Sequence, residues 1–592
     1  MLYLWEQIIF CPSLKSYFEM IRHIYRAFAL MSISAALLSC GKGEPDNGNG
    51  GSGGSGSGEI VEPSPFDNAD LYGTITDAVT GEGIAGVPVT DGFTFTKTNS
   101  KGEYGLKRNA QARKVYYTTP EGYEINLDPS TGRPLFYSDG ILAAEGKIRK
   151  DFKLTKLGAT EKHLTIIAVG DPQCENNAAV TRFRNETIAD MQKTVNALPD
   201  GNVYAITLGD IIYDSNDMWT PCADAMASLT ASGRKVPFFQ CMGNHDHDGT
   251  VNETEGEYGA TLRYVNMFGP TDYSFDRHGV HVIVMDNIKV KTLASTNRSN
   301  GKKWGEYSTR FDDDQEKWLE QDLGMVTDPG QKTLILCMHA PMNFISSTRA
   351  EKLLGMMVQF KEAHIFSGHT HWNRNTVHGA YICRGGKPVY EHTHATACGM
   401  WWKSHSDISG CPAGYSVYSV TDGVMDDWRL KGSTVPADFQ IRAYNGSDIY
   451  PAASGSLPQY DWYSPVQALT SKYNLTGYPD VKDCLIADVF NSDDRNWTVE
   501  LYVDGAKAGD FTRVPDDALT NICHAAWSYG AGNCATVDVR TTLSNRLWYI
   551  KPSQDISALK NWEIVATQTI PGSGTKHTYK CSSLTGQDNW SF

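Results

Sequence analysis

Short runs of alternating apolar and polar residues, punctuated by glycine, open the readable part of the chain. Runs 71–76, 83–89 and 99–104 predict strands joined by Gly-rich turns, hence a small β-sandwich over residues 68–156. From 161 to 421 the texture changes. Continuous apolar runs at 164–169, 203–208, 236–242, 280–285, 333–338 and 363–366 predict buried strands. Between them Ile188, Met191, Val195 and Leu198 recur at helical spacing, as do Trp318, Leu319 and Leu323. Strands alternating with helices, with polar residues at the strand ends, predict an α/β sandwich. Strands return beyond 422, at 483–489, 497–503 and 547–550. The middle one alternates cleanly and stops at Asp504-Gly505, a hairpin-turn pair, so 422–592 is expected to be a second β-rich domain.

The N-terminus does not fit any of these patterns. Arg22, His23 and Arg26 precede a short apolar run, 27–38, that ends in Leu37-Leu38-Ser39-Cys40, and this ending resembles a bacterial lipobox. It predicts a signal peptide over 1–39 and a lipid anchor on Cys40. A linker over 40–67 would follow, because its Gly- and Ser-rich sequence cannot build a core. The expected location is the cell envelope, as an exported lipoprotein of the outer membrane facing periplasm or cell surface; an ordinary cleaved signal or a membrane anchor is the other reading. A net charge of -15 argues against a nucleic-acid scaffold or an anionic membrane as partner, since both are bound through Lys and Arg. Membrane contact is then expected only through the lipid. Of thirteen cysteines, Cys11 and Cys40 fall in the leader and anchor, which leaves an odd eleven and at least one free thiol. Without a CxxC pair a structural zinc site is not expected, and Cys398 with Cys411 is the expected disulfide.

Five segments that close or follow the apolar runs carry side chains suited to divalent metals. They are Asp171-Pro172-Gln173, Gly209-Asp210-Ile211-Ile212-Tyr213-Asp214, Gly243-Asn244-His245-Asp246, His339-Ala340-Pro341 and Gly368-His369-Thr370-His371. Each alone reads equally well as a turn or a surface loop, with Gly and Asn chosen for positive φ. Together, in this order and each at a strand end, they resemble the calcineurin-like metallophosphoesterases. That resemblance implies a central metallophosphoesterase α/β sandwich flanked by the two β domains, the first of which also resembles carboxypeptidase-regulatory-like repeats.

The resemblance further implies hydrolysis of phosphate monoesters or diesters by a dinuclear centre of two divalent ions (Mn, Fe or Zn) and a metal-bound hydroxide. Paired ions supply a nucleophile at neutral pH and compensate charge on the attacking and leaving oxygens. Carried onto this sequence, Asp210 bridges, Asp171, Gln173 and His371 complete one site, and Asn244, His339 and His369 complete the other. His245 faces the substrate. Asp214 either orients His245 or is a solvated loop carboxylate. Gln173 departs from the commoner Asp-x-His pattern, so it is either a working neutral ligand or the mark of a decayed site.

A second polar stretch contains His392-Thr393-His394, Cys398-Gly399-Met400-Trp401-Trp402 and Cys411-Pro412-Ala413-Gly414-Tyr415. Two adjacent tryptophans in an extended segment cannot both face one core. At least one of Trp401 and Trp402, with His394, lines the substrate pocket, or both tryptophans cap the sheet against the C-terminal domain. Expected substrates are a small phosphate ester, a phosphoglycan or a phosphoprotein. The competing class is a catalytically degraded envelope lipoprotein that binds glycan or protein.

Overall fold

The computed structural model describes residues 64–141, 146–198, 202–251, 256–297, 303–446 except 403 and 408, 483–514, 519–520, 543–544 and 546–586. The predicted signal peptide, Cys40 and the linker up to residue 63 lie outside the described residues. Among the described residues no helix is long and apolar enough to cross a membrane.

Two mixed sheets build the centre. The first has the order Phe238–Cys241, Val203–Leu208, His163–Val169, Gly414–Thr421, Val424–Gly432. The second runs Tyr273–Arg277, Val280–Met285, Thr333–Met338, Glu362–Ser367, Pro388–Thr393, Arg374–Ile382. Their inner strands pair in parallel. Parallel strands covered on both faces must be apolar throughout, and every residue of Val203–Leu208, Val280–Met285 and Thr333–Met338 is buried. This is why continuous apolar runs located them.

The helices cover the sheets with the residues that their spacing predicts. Asp312 caps Asp313–Met325 by accepting from the Gln315 amide, and Gln315 returns a bond to the Asp312 amide. That helix buries Trp318, Leu319 and Leu323. A wide turn, Phe183–Ile188, leads into the helix Ala189–Asn196, and Ile188, Met191 and Val195 enter the core beneath the first sheet.

The N-terminal strands make two small sheets, one around Leu71–Asp77 and one around Pro88–Thr90. Here the expected strand 83–89 is reduced to a bridge at Gly83, a turn at Ala85-Gly86 and the start of Pro88–Thr90, and 99–104 is a turn that leads into Glu103–Leu106. C-terminally, Trp497–Val503 and Ala506–Asp510 form the expected hairpin, with Asp504 at φ 51° and Gly505 at φ 78°. The boundary expected at 421/422 falls inside a hairpin instead. Val424–Gly432 pairs with Gly414–Thr421 and closes one edge of the first central sheet. The α/β sandwich flanked by β-rich regions is therefore the architecture, with its central layer continuing to Gly432.

Candidate active site

Five strand ends converge on one place. Asp171 follows His163–Val169, Asp210 follows Val203–Leu208 and Asn244 follows Phe238–Cys241, all from the first sheet, whereas His339 and His369 follow Thr333–Met338 and Glu362–Ser367 of the second. The carboxyl ends of parallel strands face one way, so topology alone gathers these side chains. The chain turns sharply to present them. Six of the fourteen non-glycine residues with positive φ among the described residues are Asp171, Gln173, Asp210, Asp214, His369 and His371. Such backbone strain gathers at functional sites because the surrounding packing must hold it there.

Close approach, more than turn geometry, explains the glycines. Gly243 has φ −113°, an ordinary value, but a Cβ there would lie 2.2 Å from the Asp210 amide nitrogen and 2.3 Å from Asp210 Oδ1. At Gly209, φ is 88° and a Cβ would lie 2.4 Å from His339 Nδ1. The two strand-end turns are packed directly on the ligand-type side chains.

Asp210, 1% exposed, is central. Its Oδ1 accepts from the His245 amide at 2.8 Å and lies 3.4 Å from His339 Nε2, while its Oδ2 accepts from Gln173 Nε2 at 2.9 Å. On one side, Asn244 Oδ1 stands 3.0 Å from both His339 Nε2 and His369 Nδ1, and those two ring nitrogens are 3.1 Å apart. His339 donates its Nδ1–H to the Leu208 carbonyl at 2.7 Å, which aims its Nε2 at the cluster. On the other side, His371 Nε2 lies 3.6 Å from Asp171 Oδ1, and Asp171 accepts from the His369 amide.

The donor set fits divalent cations. Gln173 Oε1 is buried without a hydrogen-bond partner, so Gln173 presents a free neutral oxygen beside Asp210. Burial, together with the charge of Asp210, pushes the Asp171 carboxyl well above the usual range. Burial would also raise Asp210, yet His339 and His245 hold it well below that range. For His339 burial opposes charge, but Asp210 outweighs it and lifts the imidazole to about 9. Burial and the charge on His339 take His369 down to about 3. Crowded carboxylates and lone pairs of this kind are what a bound cation relieves. Oxygen and imidazole donors without thiolate suit Mn, Fe or Zn.

His245 stands at the edge of this centre, with Nδ1 3.0 Å from Asp214 Oδ1 and Nε2 3.9 Å from Asp210 Oδ2. Tyr213 lies against its ring with centroids 4.4 Å apart. The side chain of Asp214 is only 7% exposed, so it is no solvated loop carboxylate.

Four residues here escaped the sequence reading. Asp246 accepts from the amides of Ile211, Ile212 and Gly243, and so ties the Asp210 turn to the Asn244 turn. Phe344, 41% exposed, and Tyr307 set their rings edge-on to His369, with centroids 5.0 and 6.1 Å away. Tyr213, against His245, adds a third aromatic ring beside the centre. Arg546, from the C-terminal strands, pairs with Asp488 and donates to the Asn373 carbonyl at 3.0 Å, so it fixes the chain just beyond His371. No short-range motif marks any of the four, although the acidic end of the Gly-Asn-His-Asp segment could have suggested Asp246.

Three expectations are corrected. His394 does not line a pocket; it is 1% exposed, with Nδ1 bonded to the Ser367 carbonyl and Nε2 to the Tyr418 hydroxyl. Trp402 is buried too, and its Nε1–H donates to the Pro172 carbonyl at 2.9 Å, so it props the Asp171 turn from behind. Trp401 belongs to the same short helix, Gly399–Trp402, but its side chain lies outside the described set. Cys398 and Cys411 do not form the expected disulfide; they sit in separate apolar clusters, one with Val169 and Cys174, the other with Leu430 and Phe490.

Three family models match the chain: the N terminal of calcineurin-like phosphoesterase over 70–157, calcineurin-like phosphoesterase over 164–373, and the C terminal of calcineurin-like phosphoesterase over 391–570. The N-terminal sheets thus match this family's own leading domain. Comparison with curated proteins finds no match. Similar solved structures include a 5'-nucleotidase from Candida albicans, 11% identical over 61% of this chain and 71% of that one, with a TM-score of 0.25. A protein serine/threonine phosphatase from Saccharomyces cerevisiae is 13% identical over 46% of this chain and 81% of that one, with a TM-score of 0.20. Likenesses this distant say nothing about substrate. The strand-end cluster and the three matches agree, and the chain belongs to the calcineurin-like phosphoesterases, metal-dependent hydrolases of phosphate esters.

Proposed function

We propose that the chain hydrolyses phosphate monoesters or diesters with two divalent ions held on either side of Asp210. The observation that carries this reading is the shared carboxylate. Asp210 belongs both to a donor group with His339 and His369 and to one with Asp171 and His371. Asn244 joins the first group and Gln173 the second. When bound, two ions supply a nucleophile at neutral pH and offset charge on the phosphoryl oxygens.

The remaining work falls to the chain. Asp214 takes the Nδ1–H of His245, which turns Nε2 toward the Asp210 side, where a substrate's phosphoryl or leaving oxygen would lie. From there Nε2 donates a proton or a hydrogen bond. Tyr213, Tyr307 and Phe344 put aromatic rings beside the centre, suited to the organic part of the ester. Export and attachment through Cys40 belong to the same proposal and rest on the Leu37-Leu38-Ser39-Cys40 ending.

Chelator-treated protein, assayed on a panel of monoesters and diesters, is expected to lose hydrolysis and to recover it on addition of Mn, Zn or Fe. Hydrolysis that survives complete metal removal would defeat the reading.

A further inference from the structure

A second group of metal-type donors sits beyond the active-site turn. His247 follows the Gly-Asn-His-Asp segment, Glu257 opens the helix Gly256–Ala260, and Asp286 follows the strand Val280–Met285. We propose that His247, Glu257 and Asp286 form a separate binding site for a divalent transition-metal ion of the zinc class, independent of the Asp210 centre.

Geometry carries the proposal. His247 Nε2 lies 3.3 Å from Glu257 Oε1 and 3.4 Å from Asp286 Oδ2. A charge-assisted N–H···O bond is about 2.7–2.9 Å, and one ring N–H cannot point at two carboxylates at once. By contrast, ligands about 2.0–2.1 Å from a tetrahedral ion stand roughly 3.3 Å from one another. The His247 Nδ1 faces the Gly243 carbonyl at 2.8 Å. Donation there aims Nε2 at the carboxylates, the same arrangement that His339 makes with Leu208.

A second observation points to a ligand. Asp286 is 1% exposed; its Oδ1 accepts from the Ile288 amide, and its Oδ2, aimed at His247, has no hydrogen-bond partner. The surroundings carry excess negative charge. The cavity of about 420 Å³ beside the site is lined by six carboxylates, Glu257, Asp286, Asp272 and Asp312 among them, against three cations, Arg113, Lys114 and Lys289, the last 3.6 Å from Glu257 Oε1 and 3.5 Å from Asp312 Oδ2. Glu257 and Asp286 thus face Nε2 from two sides, and a cation between the three groups would satisfy all of them. The cavity gives the ion a path from solvent. Once bound, it would clamp the segment after Asn244 and His245 to the end of Val280–Met285.

The test uses the full chain carrying Asp210→Asn, which disables the first centre, so failure of this proposal and failure of the function are read separately. Apo protein is titrated with Zn alone and bound metal is counted after desalting, with thermal unfolding as a check on folding. One equivalent is expected to persist, and adding His247→Gln or, separately, Glu257→Gln should weaken it by at least about tenfold. Zn-soaked crystals should place an anomalous peak beside His247 Nε2. No bound Zn in the Asp210→Asn chain, or affinity unchanged by both added substitutions in folded protein, would overturn the site.

Discussion

Asp210→Asn is expected to lower hydrolysis by on the order of 10³-fold or more while the protein still folds. The substitution keeps volume and one acceptor oxygen but removes the charge that two ions would share, and several kcal/mol of transition-state stabilisation go with it. The fold should persist because asparagine keeps the volume that packs against the Gly243 turn. The Asp210 side chain is held by one side-chain donor, Gln173, and the His245 amide, and asparagine can replace part of that. Steady-state rates with saturating Mn, alongside circular dichroism, check this. Activity within about tenfold of the parent would remove Asp210 from the bridging role.

His245→Ala should cost about 10²–10⁴-fold, the usual range for a positioned proton donor, without changing metal content. The hydrogen bond from His245 to Asp210 comes from the backbone amide, which the variant keeps, while the ring Nε2 stands 3.9 Å from Asp210 Oδ2. The loss should be smaller for a nitrophenyl ester, whose leaving oxygen needs little protonation, than for an alkyl ester. Asp214→Asn should weaken the same preference because it loosens the Nδ1 contact at 3.0 Å. Equal losses on both ester classes would assign His245 to a phosphoryl oxygen in place of the leaving oxygen. A loss accompanied by missing metal would take it out of the proton-donor role.

Much of the centre was legible because burial and chemistry coincide at the strand ends. Runs such as 203–208 and 333–338 are apolar on both faces, so their limits agree with the strands to the residue. The next polar residue after such a run has few places to go but the crevice. Short N-terminal strands such as Pro88–Thr90 were misplaced because turns and bridges satisfy most of the backbone there, and three residues show no period. His392 and His394 look like site residues in sequence. In the fold they are core imidazoles, His392 bonded to His364 and Asn375 and His394 to Ser367 and Tyr418. Residues joined only by tertiary approach left no local pattern. Phe344 and Tyr307 meet His369, and Arg546 reaches Asn373 across 173 positions of chain. The cysteine pairing failed for the same reason in reverse, since 13 residues of separation between Cys398 and Cys411 do not oblige two side chains to share a core.

The most direct measurement of the central claim is anomalous diffraction from crystals of the unmodified protein loaded with Mn. Two peaks about 3.5–4 Å apart are expected. One should be bounded by Asn244, His339 and His369 and the other by Asp171, Gln173 and His371, with the Asp210 carboxylate between them. A single peak in this crevice at saturating Mn, or two peaks of which only one touches Asp210, would contradict the shared-carboxylate centre.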